Sequence, residues 1–224
     1  MTFSLTARCE VTGAFGLVVS SSSTAVAARC AFARTRIGAV ATQNITDPRI
    51  GPRALDLLET GLPARAVLER IVATTEHIAY RQVAIVDNDG GTAAYSGVNT
   101  LGTYATAEGR NCVAAGNMLA GVEVVAAMVD AFERRPAGSF GKALTRALQA
   151  GLAAGGEAGP VRSAGLLIQA EASWPVADLR VDYADEPIAD LTALWERWKP
   201  EMNSYVTRAL DPAQAPSYGV PGDP

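Results

Sequence analysis

The stretch Thr2-Phe3-Ser4-Leu5-Thr6-Ala7-Arg8-Cys9, followed by Val11-Thr12-Gly13 and then Phe15-Gly16-Leu17-Val18-Val19-Ser20, decides the fold. Phe3, Leu5, Ala7 and Cys9 alternate with Thr2, Ser4, Thr6 and Arg8, the period-2 pattern of a half-buried strand. The turn residues after it lead into a second apolar run, so the two segments read as a hairpin. Antiparallel pairing at the start of the chain sets the expectation for the strands after it.

Working outward, a hydroxyl run from Ser20 to Thr24 and an Ala-rich stretch precede a further strand, Ile37 to Gln43. Gly51-Pro52-Arg53 then opens a helix with Leu55 and Leu58 on its apolar face, and a break at Gly61-Leu62-Pro63 opens a second helix. Strands return at Tyr80 to Asp87 and Thr92 to Gly97, joined by Asn88-Asp89-Gly90-Gly91, a strong hairpin signal. Asn111 to Ala115 reads as another strand, stopping at Gly116-Asn117. Helices are expected at Val122 to Arg135 and Ser139 to Ala154, and strands at Ser163 to Ala170 and Leu179 to Tyr183. A C-terminal helix from Ile188 to Ala209 carries Trp195 and Trp198 three residues apart, hence on one face, fit for the core or for a homodimer interface. Residues 1–210 read as one domain, and Asp211 to Pro224, rich in proline and glycine, as an irregular tail. Strands in hairpins with helices inserted in pairs argue for α+β: an antiparallel sheet or sheet pair covered by helices, not a doubly wound parallel sheet.

The 224 residues are 49% hydrophobic, enough for a large core. No apolar run is long enough to span a bilayer, and a net charge of -4 gives no basic footprint for nucleic acid. Met1 to Arg8 lacks the pattern of a secretory signal, so the cytoplasm is the expected compartment. His77 is the single histidine, which removes most catalytic zinc arrangements, and neither a metal nor an organic cofactor is expected. His77 itself, between Glu76 and Ile78, reads as structural or surface. The cysteines Cys9, Cys30 and Cys112 are too widely spaced for a CxxC pair and read as reduced, packed thiols.

Thr2 is the first chemical candidate. It follows Met1 and is small enough for the initiator methionine to be removed, which would place a hydroxyl and a free α-amine on one residue. An α-amine, with a pKa of ~7.7–8.0, can take the hydroxyl proton near neutral pH. Gly116-Asn117, at a strand end before a helix, offers neutral donors suited to an oxyanion hole, or else a helix cap or left-handed turn. Gln43 either binds a substrate carbonyl or amide, or satisfies backbone groups at a strand end. Arg53, Arg81 and Arg162 are candidates to clamp a carboxylate, with Arg81 and Arg162 the preferred pair, or are ion-paired surface groups. A small-molecule substrate, anionic if the arginines bind it, is the expected partner. Cys9, Cys30 and the serines Ser20 to Ser23 are the competing nucleophiles.

Thr2-Phe3-Ser4-Leu5-Thr6-Ala7-Arg8, Ile37-Gly38-Ala39-Val40-Ala41-Thr42-Gln43, Gly51-Pro52-Arg53-Ala54-Leu55-Asp56-Leu57-Leu58, Tyr80-Arg81-Gln82-Val83, Gly116-Asn117-Met118-Leu119-Ala120-Gly121 and the Gly-Gly segment before Arg162-Ser163-Ala164 occur in this order. Together they resemble the family known as domain of unknown function 1028, placed in the N-terminal-nucleophile (Ntn) hydrolase superfamily, over Thr2 to Trp198. The resemblance implies an αββα sandwich, two stacked antiparallel sheets between helical layers. It also implies Thr2 as the nucleophile on an amide-type carbonyl, with Ser4 as a competitor on the same side of the strand. By analogy with some Ntn amidotransferases, it implies Asn117 as the oxyanion donor. The Ser20 to Thr24 run departs from the family, where bulkier or charged residues often stand. A non-catalytic small-molecule binding or scaffolding protein on the same fold is the alternative.

Overall fold

The computed structural model describes residues 1–134 and 140–222. Its sheets are antiparallel throughout. The larger is assembled from β1 (Thr2–Arg8), β2 (Phe15–Ser21), β7 (Ala105–Gly109), β8 (Cys112–Asn117), β9 (Ser163–Gln169) and β10 (Ala177–Val181), in the order β10-β9-β2-β1-β8-β7. The smaller contains β3 (Ala31–Arg34), β4 (Gly38–Gln43), β5 (Gln82–Asp87) and β6 (Thr92–Ser96), in chain order. Among the described residues there are seven α-helices: α1 (Ala27–Cys30), α2 (Ile50–Glu59), α3 (Ala64–Thr74), α4 (Glu123–Glu133), α5 (Phe140–Ala153), α6 (Pro187–Trp198) and α7 (Met202–Leu210). No helix among these residues is long and apolar enough to cross a membrane.

Three apolar clusters hold the elements together. Phe3, Leu5 and Ala7 of β1 pack with Val124, Met128 and Phe132 of α4, Leu144 and Leu148 of α5, and Leu191 and Trp195 of α6. Val40, Val83 and Ile85 pack with Ile50, Leu55 and Leu58 of α2 and Val67 and Ile71 of α3. The third cluster draws on both sheets: Leu17, Val19, Val113 and Ala115 from the larger, Ala41, Ala84 and Val86 from the smaller. Helix α3 is fixed at its start by a side chain from outside it. The Asp87 carboxylate, at the end of β5, accepts the Ala64 N–H at 2.8 Å, satisfying one of the unpaired donors of the first turn.

The structure departs from the sequence expectation in several places. Strand β1 is buried on both faces from Thr2 to Ala7 rather than half-buried, because the smaller sheet covers its Thr2, Ser4 and Thr6 side. The strand expected to stop at Gly116-Asn117 runs through Asn117, so Asn117 neither caps α4 nor turns left-handed; the positive φ of 50° belongs to Met118. The Ala-rich stretch contains β3, and β7 pairs with β8 across a turn in which Asn111 takes φ 59°. Tyr80 closes a short 3-10 turn (Ile78–Tyr80) rather than starting a strand. The single C-terminal helix is two, α6 and α7, interrupted at Lys199-Pro200-Glu201, since Pro200 has no N–H to continue the ladder. The expected helix ends at Arg135 and Ser139, and Asp223 and Pro224 of the tail, lie outside the described residues.

The tryptophan face of α6 is used within the chain. Trp195 is buried in the first cluster, and the Trp198 indole N–H donates to the Val176 carbonyl at 3.0 Å. Gly141 of α5 makes this approach possible. A Cβ there would stand 2.4, 2.5 and 2.7 Å from the Trp195 ring, which burial prevents from moving aside. Gly141→Ala is therefore expected to destabilise the fold by about 1–3 kcal/mol, read as a lower urea midpoint by tryptophan fluorescence.

Candidate functional site

The larger sheet brings the start of β1 beside the ends of β2 and β8. Thr2 is registered directly opposite Asn117, and Phe3 opposite Ser20, which sets Ser21 on the other side of Thr2. Directly paired residues of neighbouring strands project to the same face. Thr2 is only 6% exposed. Its hydroxyl donates to the Met1 carbonyl, and Ser21 Oγ, 3.4 Å away, donates to the same carbonyl. Ser21 Oγ lies 2.8 Å from Ser23 Oγ, and the Arg29 guanidinium donates to Ser23 Oγ and to the carbonyls of Thr24 and Ala25.

Behind Thr2, on the same face of β1, a buried chain of amides crosses from one sheet to the other. The Ser4 hydroxyl donates to Gln43 Oε1 at 2.7 Å, and Gln43 Nε2 donates to Gln82 Oε1 at 2.7 Å. Asn117 Nδ2 donates to the same Gln82 oxygen at 3.2 Å. Gln82 Nε2 in turn donates to the Gly116 carbonyl at 3.0 Å and to Ser96 Oγ at 2.9 Å. Asn117 keeps a second N–H, and its buried Oδ1 has no partner among the described residues.

Glu157 completes this end of the molecule. A single antiparallel bridge joins Glu157 to Leu119, two residues beyond Asn117. Glu157 is 5% exposed, and both of its carboxylate oxygens share the Ser22 N–H at 3.1 Å. Burial pushes its pKa up to about 7, against the opposing pull of the amino-terminal ammonium and the Ser22 N–H.

Thr2, Asn117 and Gln43 thus come together, Gln43 through Ser4 and Gln82 rather than by facing an open space. The arginines do not join them. The Arg162 side chain pairs with Asp185, and only its backbone N–H reaches the group, donating to the Ser21 carbonyl at 2.8 Å. Arg81 acts electrostatically on Asp47, beyond the end of β4, and its buried Nε has no partner among the described residues. Arg53 donates to the Thr74 and Thr75 hydroxyls in a separate cavity of about 340 Å³ that it shares with Asp47, Arg49 and Glu76. His77 is exposed and takes a left-handed φ of 55° before the 3-10 turn. Cys9 lies just past the far end of β1. Cys30 is buried, which pushes its thiol pKa up and makes it a poorer nucleophile.

Sequence reasoning passes over Gln82 and Glu157. Gln82 stands inside the Tyr80-Arg81-Gln82-Val83 segment, where a buried polar residue opening an apolar strand is a usable signal. Glu157 is the one charge within Gly155-Gly156-Glu157-Ala158-Gly159, a segment with no periodicity to expose it.

An α+β chain of two antiparallel sheets, with hydroxyls and amides gathered at one sheet end, is the class that fold and site define. A family of unknown function, DUF1028, matches residues 2–191, and the chain belongs to that family. A crystal structure of a DUF1028 protein from Silicibacter pomeroyi is similar at TM-score 0.84 and 28% identity, covering 91% of this chain and 89% of that one. The chain also aligns with Anbu, an ancestral beta-subunit from Yersinia bercovieri, at TM-score 0.41 and 11% identity, covering 97% and 100% of the two chains. No curated protein matches it.

Gln82→Met would leave the Gly116 carbonyl and the Gln43 and Asn117 amides without their partner. Each such group costs ~1–3 kcal/mol, so a loss of at least about 3 kcal/mol is expected in urea unfolding. Glu157 holds a proton in the folded state over the window from 4.5 to about 7 that the unfolded chain has released. Stability therefore falls as pH rises through that window. Glu157→Gln is expected to raise the thermal midpoint at pH 8 by about 2–4 °C and to leave it unchanged at pH 4, as differential scanning calorimetry would register.

Proposed function

We propose that the chain is an Ntn-type hydrolase of small amides or related C–N bonds, built as a four-layer αββα stack. The shared apolar cluster between the sheets and the helical clusters on their other faces support that layering. One observation carries the functional reading: the buried Thr2 hydroxyl stands between Ser21 and Asn117 on the neighbouring strands, and Ser21 holds the carbonyl of Met1, the residue bonded to the Thr2 nitrogen, against it.

In a chain whose first residue is Thr2, the α-amine takes the hydroxyl proton and Oγ1 attacks the substrate carbonyl carbon. The oxyanion that forms is offered the Ser21 hydroxyl, which holds the Met1 carbonyl oxygen, and from the other side the second N–H of Asn117, whose first is held by Gln82. Collapse breaks the C–N bond, and the leaving amine takes the proton from the α-ammonium. Water then attacks the acyl-Thr2 ester, the amine again accepting a proton, and releases the acid. Ser4 is a poor rival nucleophile, since its hydroxyl is fully buried and donates to Gln43. An arginine clamp on the substrate is not part of this reading, because Arg162 pairs with Asp185.

The test joins intact mass to turnover. A preparation whose mass lacks Met1 is expected to hydrolyse members of an amide panel. Thr2→Ala is expected to lose at least about 10³-fold in kcat/KM with an unchanged circular dichroism spectrum. Undiminished turnover in Thr2→Ala would overturn the assignment.

A further inference from the structure

Met1 stands in front of Thr2, where two hydroxyls, a carboxylate and a glycine surround it. Its carbonyl accepts hydrogen bonds from the Thr2 and Ser21 hydroxyls. Its ammonium acts on the Glu157 carboxylate. Its thioether end lies beside Gly159, with Cε and Sδ 3.5 and 3.9 Å from where a Cβ on that residue would stand.

Glu157 is under-supplied with donors: both oxygens share the single Ser22 N–H. A buried carboxylate is stable as an anion only when a cation or several donors face it. Arg29, whose guanidinium joins the hydroxyl group beside Thr2, is bound to the Thr24 and Ala25 carbonyls and to Ser23 Oγ and makes no ion pair with Glu157 among the described residues. A second buried acceptor, Asn117 Oδ1, is also without a partner among the described residues, on the residue directly across from Thr2. Two under-used acceptors at the end of the molecule that carries the nucleophile call for a ligand that brings N–H donors and positive charge.

We propose that the space Met1 occupies is the acyl subsite, and that it takes an α-amino acyl group with a free ammonium, which Glu157 receives. The substrate class is then the amide of an α-amino acid, with an unbranched apolar side chain lying beside Gly159. N-acylated amides and carboxylate-headed substrates are excluded, the first for lack of charge and the second by repulsion from Glu157. This inference rests on the hydrolase reading for its reaction, but its binding component can be measured separately.

The experiment uses the full chain released from a cleavable N-terminal fusion so that residue 2 is its first, in the Thr2→Ala form. L-methioninamide and N-acetyl-L-methioninamide are titrated at pH 7.5 by calorimetry. The free-amine compound is expected to bind at least tenfold more tightly. Glu157→Gln in the same background should reduce its affinity at least tenfold and leave the acetylated compound unaffected. Equal binding of the two amides overturns the proposal, and that comparison needs no change at Glu157. So does a Glu157→Gln variant that binds L-methioninamide as before, the result expected if the chain's own α-ammonium occupied Glu157. Turnover of L-methionine p-nitroanilide by the chain with Thr2 intact reads the chemistry apart from the binding. Binding with the stated preference but no turnover upholds the subsite and overturns the hydrolase reading. Turnover with no preference for the free amine does the reverse.

Discussion

The polarity of the buried amide chain is set by one backbone carbonyl. Gln82 is fully buried where it meets the Gly116 C=O, which can only accept, so the Gln82 side chain must present its NH₂ there. Its Oε1 then faces Gln43 and Asn117, and both must present N–H to it. Gln43 Oε1 is left to face Ser4, whose hydroxyl becomes a donor. Each amide has one orientation consistent with its neighbours, and a flip at any position would set oxygen against oxygen in a low-dielectric interior. The cross-sheet contact is therefore specific where apolar packing alone would allow sliding.

That constraint reaches the surface end of the sheet through Thr2 and Asn117. Thr2 is the next residue on the same face of β1 as Ser4, and Asn117 follows Gly116 on β8, so both inherit their placement from the chain behind them. Beyond Asn117 the backbone turns at Met118, with a positive φ, and Leu119 then pairs with Glu157. The carboxylate thus reaches Ser22 by a route fixed in strand register, and it stands where burial opposes its ionisation. A group that costs stability when charged is expected where a ligand, not the fold, requires it.

Much of the scaffold is legible in the sequence, and the rest depends on tertiary effects. The pattern of Thr2 to Arg8 identifies a strand, but alternation alone assigns the polar face to water. Only a second sheet whose own inward residues include Gln43 and Gln82 makes that face dry, and no local window contains both. Strand β7 is missed because Ala105-Thr106-Ala107-Glu108-Gly109 has little apolar bulk; it exists because β8 offers it an edge and Asn111 tolerates the turn. Pro200 inside the apparent C-terminal helix is a readable break. At the site, Thr2 and Asn117 announce themselves by chain position and by a Gly-Asn strand end. Glu157 becomes visible only once a bridge closes between residues that lie far apart in sequence.

The arginines show why composition misleads about a site. A chain with many more arginines than lysines invites the expectation of an anion at its centre. Yet Arg34 pairs with Asp56 and Glu59, Arg110 with Glu10, Arg49 with Asp47 and Arg162 with Asp185, all at or near the surface. Arg29 connects to Thr2 through two hydroxyls, and its guanidinium already serves two backbone carbonyls and Ser23. What surrounds Thr2 itself is acceptor-rich: a carboxylate, an orphan amide oxygen and hydroxyls whose protons point at a carbonyl. A setting of that kind selects for what a ligand can donate. Charge at the surface is screened within about 10 Å, whereas a buried acceptor without a donor costs free energy at every salt concentration. Where the two disagree about the ligand, the buried acceptors decide it.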